Sequence, residues 1–287
     1  MALFGRPDGT PVPGVHPVRR IMPFIMPTRT EAFVLFEQQI DMEPVRRFLA
    51  SVNAGRPADR AVTLFHLVLR GIGMALDEFP RLNRFVAGSR LYDRRGIWLS
   101  FSGKKRMERD APIYTSKVAF DPAETLDAMV DRLQAAVGEG RSNRESATDR
   151  EIKTFLRIPA PILRIGTRLV RRLDGWNMLP ASFTAGDPLY ASAFVANLGS
   201  VGLEAAYHHL FEYGTIPIFV TIGRIQRVPI VRADGSVASR EVFLLRYTYD
   251  ERIEDGFYAA RALERLQALL EEPEALRGVP ERHQSRA

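Results

Sequence analysis

The stretch "LLRYTYDERIEDGFYAARALERL", residues 244–266, reads as a strand that breaks into a helix. Branched and aromatic residues fill the part before Asp250, as a strand requires. Asp255 and Gly256 then precede "GFYAARALERLQALLEEPEAL" (256–276), whose apolar residues return at helical spacing. Between the two lies a short polar segment, Asp250-Glu251-Arg252-Ile253-Glu254-Asp255. What that segment does inside a strand-to-helix turn decides how the rest of the chain is read.

Working outward, "TIPIFVTIGRIQRVPIV" (215–231) and "REVFLLRYTYD" (240–250) read as long strands, joined through Asp234-Gly235, a hairpin signal. "YASAFVANLG" (190–199) reads as a strand entering a Gly turn, and "EAFVLFEQQID" (31–41) as another strand. "MEPVRRFLASVNAG" follows as a helix, with Pro44 near its start and Gly55 near its stop. "DRAVTLFHLVLRGIGMALDEFPRLN" (59–83) is apolar nearly all round and reads as a buried helix ended by Pro80. His66 inside it reads as a hydrogen-bonded structural residue. Short strands are expected at 84–87, 90–93, 96–102 and 112–120, then an amphipathic helix over 121–140 and a polar connection, "RSNRESATDR". No internal repeat and no linker divides the chain.

Residues 1–30 carry Pro at 7, 11, 13, 17, 23 and 27 and read as an extended arm without helix. Residues 31–276 then form one domain of strands with helices packed on them, and 277–287 a flexible tail. After the break at Pro159 and Pro161, Ile162, Ile165, Leu169 and Leu173 share one helix face, while Arg164, Arg168, Arg171 and Arg172 take the other. Such a face docks on the chain's own body or, as the alternative, rests on an anionic membrane surface through 161–174.

The 287 residues are enough to bury a sizeable core. No cysteine is present, which excludes disulfides, thiolate metal sites and cysteine nucleophiles. The net charge is +6, and lysine stands only at 104, 105, 117 and 153, so arginine dominates the basic residues. That balance suits anionic partners such as phosphates, coenzyme A or acidic lipid, or simply solvated faces. The sequence shows no secretory signal and no run of apolar residues long enough to span a bilayer, so a cytoplasmic protein, with peripheral membrane contact as an option, is the expectation. No dinucleotide fingerprint, P-loop, HExxH or GxSxG occurs. Histidines at 16, 66, 208, 209 and 283 are too sparse for a metal centre, and no nucleic-acid signature is found.

Three stretches carry a family resemblance. They are "TLFHLVLRGIGMALDEFPRLN" (63–83), "FVANLGSVGLEAAYHHLFEYGTIPIFVTIG" (194–223) and "LRYTYDERIEDG" (245–256). In order and spacing they resemble the catalytic domain of the dihydrolipoyl acyltransferases of 2-oxoacid dehydrogenase complexes, and through it the chloramphenicol acetyltransferase fold. The resemblance implies an α/β (α+β two-layer) fold with a mixed sheet, a homo-oligomer (a trimer or a multiple of trimers), and active sites between subunits. It also implies coenzyme A or acyl-CoA as ligand, with no bound cofactor required. The lipoyl and subunit-binding domains of complex-forming members are not seen before residue 30.

Carried over residue by residue, the family's catalytic histidine falls on Glu251 and its oxyanion-stabilising serine on Ala196. Asp255 keeps the aspartate that closes the motif, with Arg19 or Arg20 as its expected partner, and Asn197, Leu198 and Gly199 keep the turn. Glu254 reads as a solvated carboxylate at the helix start. Alanine has no donor for an oxyanion, a loss of roughly 100- to 1,000-fold in rate. The expected outcome is a degenerate acyltransferase that binds an acyl or CoA-like ligand or serves assembly. The alternative is an active acyltransferase, with a lipid-like acceptor as one option, in which Glu251, His208 or His209 is the base.

Overall fold

Val237–Asp250, fourteen residues long, is the strand on which the fold is organised. It appears in a computed structural model that describes residues 5–106, 108–142, 157–231 and 234–280. The strands are β1 (Gly9–Pro11), β2 (Phe33–Asp41), β3 (Arg84–Ala87), β4 (Arg90–Arg94), β5 (Ile97–Lys104), β6 (Ile113–Phe120), β7 (Ala193–Asn197), β8 (Ile218–Ile222), β9 (Gln226–Val231) and β10 (Val237–Asp250). The helices are α1 (Pro17–Ile25), α2 (Met42–Val52), α3 (Leu64–Glu78), α4 (Leu126–Arg141), α5 (Ala160–Gly175), α6 (Ala181–Gly186) and α7 (Gly256–Glu271).

The main sheet runs β2-β10-β8-β7-β5-β6, with β9 also paired to β10; β1, β4 and β3 form a small second sheet. β10 is antiparallel to β2, β8 and β9, whereas β7 is parallel to both β5 and β8, so the sheet is mixed. Strand alternation sends Leu245, Tyr247 and Tyr249 to one face, where they join Val195, Val220 and Ile222 in the main core beneath α3, α4 and α7. On the opposite face lies a smaller cluster of Ala191, Phe194, Leu210, Ile216 and Phe219.

α3 is buried along almost its whole length, and its close packing depends on two glycines. A Cβ at Gly71 would stand 2.7 Å from Leu266 of α7, and one at Gly73 only 2.3 Å from the Phe120 ring. Arg70 is fully buried on this apolar helix. Its guanidinium donates to the carbonyls of Glu124 (2.8 Å), Leu276 (3.3 Å) and Gly278 (2.9 Å), so it ties α3 to the end of the chain. His66 plays the expected structural part: its Nδ1 accepts the Thr63 N–H at 3.1 Å and closes the helix start.

Several expectations need correction. Residues 1–30 are not a helix-free arm, because β1 and α1 form within them. Pro17 takes the first turn of α1, where a missing N–H costs nothing, and Pro23 falls near the helix end. The span 215–231 is two strands, not one. At Gly223 the backbone of Ala205 packs so closely that a Cβ would meet it at 2.6 Å, and β10 takes β9 as its partner beyond that point. The helix over 256–276 stops at Glu271, and Pro273–Leu276 form a 3-10 turn. The tail begins later than 277, since the Arg277 and Gly278 carbonyls accept from Leu126 and Arg70. Residues 281–287, most of "RSNRESATDR" and the first part of the β9–β10 turn lie outside the described residues. α5 does not bury its apolar face in the chain's own body: Ile162, Ile165 and Leu169 are 58%, 66% and 52% exposed.

Gly73→Ala is expected to lower the unfolding free energy by about 1–3 kcal/mol in denaturant titrations, despite alanine's better helix propensity, because the Phe120 ring must yield. His66 should make stability acid-sensitive. Burial holds its imidazole down at about 4. Below its ordinary value the unfolded chain binds a proton that the folded chain refuses, so stability falls as pH drops from about 6.5 to about 4. Urea unfolding across that window should show a loss of up to roughly 3 kcal/mol, and His66→Gln should flatten it.

Candidate functional site

The turn after β10 is built from buried charge. Asp250 is fully buried and Arg252 is 3% exposed. They form a two-pronged pair, Nε to Oδ1 at 2.8 Å and Nη2 to Oδ2 at 2.7 Å, and the Arg252 N–H also donates to Oδ1. Arg252 Nη1 reaches the Met26 carbonyl at 2.9 Å and so binds the segment after α1 to the turn. Ile253 fills the core beneath.

Glu254 is not the solvated carboxylate expected at a helix start. It is 4% exposed and faces Arg84 at 3.1 Å, Arg19 at 3.4 Å and Arg81 at 3.7 Å. Its Oε1 also accepts the Asp255 N–H at 3.1 Å. Three cations converge there because β3, α1 and the turn before β3 all abut the start of α7. Asp255 is the residue that starts α7, accepting the Tyr258 N–H at 2.9 Å. Arg19 is its neighbour at 3.9 Å, but stands closer to Glu254.

Glu251 sits at the apex of the turn, half-buried, with its backbone held on both sides. Its N–H donates to the Ala32 carbonyl at 3.0 Å, and its carbonyl accepts from Arg19 Nη1 at 3.2 Å. Beside this turn is a cavity of about 120 Å³ lined by Arg29, Arg171, Arg252, Asp174, Tyr190 and Glu212. Arg29 is buried there and donates to the carbonyls of Phe211, Glu212 and Val86. Burial lowers its pKa, and the carbonyls offset part of the lost hydration.

Ala196 lies on β7, directly across from Thr221 of β8. The Thr221 hydroxyl is buried and donates to the Ala206 carbonyl at 2.6 Å. Asn197 ends the strand by accepting the Ser200 N–H at 3.1 Å, and the Ser200 hydroxyl donates back to the Asn197 carbonyl at 2.7 Å. A Cβ at Gly199 would stand 2.6 Å from the Gly223 carbonyl, so the turn is pressed against the break between β8 and β9.

Sheet register separates the two motif positions. Ala196 pairs with Thr221, Thr221 pairs with Arg246, and Glu251 follows five residues later. Strand geometry converts this to roughly 10 Å across and roughly 17 Å along, or roughly 19 Å in all. One chain therefore does not bring Ala196 and Glu251 to a common reacting bond.

His208 and His209 are distinct in character. The His208 ring is half-buried and stacks on Phe219 at 3.9 Å and 10°. Its Nδ1 lies 2.7 Å from the His209 carbonyl, a contact that the N–H tautomer makes as donor, leaving Nε2 with its lone pair. Burial lowers its pKa, which favours the neutral ring. Phe219 pairs in register with Phe194, two residues before Ala196, and Ala196 packs against the same cluster. His208 and Ala196 thus share one face of the sheet, while His209 is exposed. Among the described residues, no group of three His, Asp or Glu side chains is placed to hold a metal ion.

The sequence reading missed the Glu254 arginine cluster and the commitment of Thr221. The only signal for the first was Glu254 standing two residues beyond Arg252, and it could not reveal that Arg19, Arg81 and Arg84 converge on it.

Known proteins agree with this architecture. A family model described as the 2-oxoacid dehydrogenases acyltransferase (catalytic domain) matches residues 186–277, a span that contains Ala196, Glu251 and Asp255. The chain is similar in structure to a probable dihydrolipoamide acetyltransferase from Listeria monocytogenes 4b F2365, at 16% identity, covering 91% of this chain and 94% of that one, with a TM-score of 0.59. A dihydrolipoamide acetyltransferase from Azotobacter vinelandii, studied for the catalytic roles of a serine, a histidine and an asparagine, matches at 16% identity, 90% and 88% coverage and a TM-score of 0.61. A chloramphenicol acetyltransferase matches at 11% identity, 91% and 99% coverage and a TM-score of 0.54. At such identities the likeness is one of fold. The expected resemblance is borne out, and the chain has the chloramphenicol acetyltransferase-like mixed sheet with packed helices.

Arg252→Ala is expected to cost about 3–5 kcal/mol in denaturant unfolding, because it strands a buried Asp250 carboxylate. Removing both charges, as Asp250→Ala with Arg252→Ala, should cost less than the sum of the single changes.

Proposed function

We propose that this chain is an oligomeric protein of the acyltransferase fold that binds an acyl or coenzyme A-like ligand without carrying out the family's standard transfer. The observation that carries this reading is the methyl group of Ala196 where the resemblance puts an oxyanion donor. The nearest hydroxyl across the strand pair, that of Thr221, is already donated to Ala206. A tetrahedral oxyanion at Ala196 therefore gains no side-chain donor from that pair, and the loss of one donor alone is worth roughly 100- to 1,000-fold. At the other motif position, an anionic Glu251 would repel the developing negative charge that a histidine base would balance.

The separation of roughly 19 Å between the two positions, read from strand spacing, supports an assembly in which copies complete each other's site. Exposed apolar side chains on α1 and β2 support the same reading. Ile21, Phe24 and Ile25 are 49%, 66% and 69% exposed, and Phe33 and Leu35 are 38% and 42% exposed. A trimer, or a multiple of trimers, is the assembly that the resemblance favours.

A second reading rests on His208. It is oriented by its Nδ1 contact, shifted toward the neutral form, and on the same face as Ala196. Those are the attributes of a general base. In this reading His208 Nε2 removes the proton from an acceptor alcohol or amine as its O or N attacks the thioester carbonyl; the C–S bond then breaks, and the departing coenzyme A thiolate takes that proton back from His208.

Titration calorimetry with coenzyme A and acetyl-CoA, paired with a thioester-cleavage assay, tests both. The first reading expects binding without turnover above the uncatalysed rate. Turnover lost in His208→Ala, with oligomeric mass unchanged, would establish the second. Turnover lost in Glu251→Gln would overturn the degenerate-site reading through the motif position itself. Absence of any coenzyme A binding would remove the ligand assignment.

A further inference from the structure

α5 is a sixteen-residue helix of which no residue is buried. It is fastened at its C-terminal end. Arg6 grips Asp174 through the carboxylate at 2.8 Å and the carbonyl at 2.9 Å. Gly88, in the turn between β3 and β4, packs on the backbone of Gly175, where a Cβ would stand 2.0 Å from the Gly175 carbonyl oxygen. One side of the helix, with Leu163 and Val170, and its last turn, Leu173–Gly175, are half-buried. Ile162, Ile165 and Leu169, spaced i, i+3 and i+7, form a different stripe that faces solvent, and Trp176 extends it at 46% exposure.

The polar residues of the same helix are mostly basic. Arg164, Arg168, Arg171 and Arg172 are all exposed. Residues 157–176 hold five arginines against one aspartate, a net charge of +4 in a chain whose total is +6. The aspartate is already engaged by Arg6, and Glu212, which also accepts from Thr30, pairs with Arg171 at 3.6 Å. Arg168 and Arg172 flank the apolar stripe.

We infer that α5 docks on an anionic lipid surface, with Ile162, Ile165 and Leu169 in the acyl-chain boundary and Arg164, Arg168 and Arg172 at the headgroup phosphates. Charge complementarity selects this occupant. A second copy of the chain would bring the same arginines to the contact, and like charges oppose it. A lipid bilayer meets both halves of the helix at once: apolar burial for the stripe, and an anionic plane for guanidinium groups whose stems lie along it. No helix among the described residues is long and apolar enough to cross a membrane, so the contact is a surface one.

Flotation of the full chain with phosphatidylcholine vesicles, with and without phosphatidylglycerol, tests the inference. The protein is expected to float with the anionic vesicles, not with the neutral ones, and to be released by high salt. Arg168→Gln with Arg172→Gln should weaken partition about 25-fold, at about fivefold for each charge removed. Ile165→Gln with Leu169→Gln should abolish flotation. Far-ultraviolet circular dichroism identifies any variant that fails to fold, and the exposed arginine pair keeps the test valid if the stripe variant does. Failure of the unaltered protein to float with anionic vesicles overturns the inference, as does equal flotation of the stripe variant. A change in oligomeric mass of the stripe variant, measured by light scattering, would instead assign the stripe to a second copy and overturn it too. Coenzyme A binding is read separately, so the lipid contact and the ligand reading stand or fall independently.

Discussion

The buried pair of Asp250 and Arg252 is the contact on which the surrounding architecture depends. It sits where the longest strand ends and α7 is about to begin, and neither charge reaches water. Each satisfies the other through two hydrogen bonds, and Arg252 uses a further N–H to hold the segment after α1. A pair of this kind stabilises little by itself, but leaving either partner alone in the interior is costly. It therefore fixes one geometry for the turn. Glu251 at the apex, Glu254 among its arginines and Asp255 at the head of α7 inherit their positions from it.

The same turn separates the residues that hold the joint between sheet and helix from the one at its apex. Its buried members serve the joint between sheet and helix, and they are intact. Glu251 and Ala196, at the positions the resemblance assigns to chemistry, are both half-buried. Glu251 projects from a backbone held by Ala32 and Arg19, and Ala196 lies two strands away on β7, just before the turn that Gly199 presses against Gly223. Structural demand acts on Asp250, Arg252 and Asp255 whatever happens at the apex.

Much of the fold could be read from local pattern. The buried α3, the β9–β10 hairpin, and the strands at 84–87 and 240–250 follow from periodicity and turn residues, because those signals act within a few positions. The misreadings share a different origin. α1 was masked by its prolines, one at a helix start and one near its end, where each is tolerated. The break at Gly223 depends on Ala205 packing against it, a contact across eighteen residues of chain. Glu254 looked solvated because a carboxylate before a helix usually is. Three arginines from residues 19, 81 and 84 converge on it only once the sheet has formed.

By itself the sequence determined the strand-to-helix turn, the order of the main elements, and that Glu251 and Ala196 stand where the resemblance expects a histidine and a serine. Each of these is a matter of residue type at a position, and residue type is local information. The tertiary structure alone decided where those positions lie relative to one another. It set Ala196 and Glu251 far apart through the register of three strands, placed His208 on the Ala196 face by stacking it on Phe219, and turned the stripe of α5 outward. Register, stacking and the seating of a helix arise from contacts between segments distant in the chain, and no short stretch encodes them.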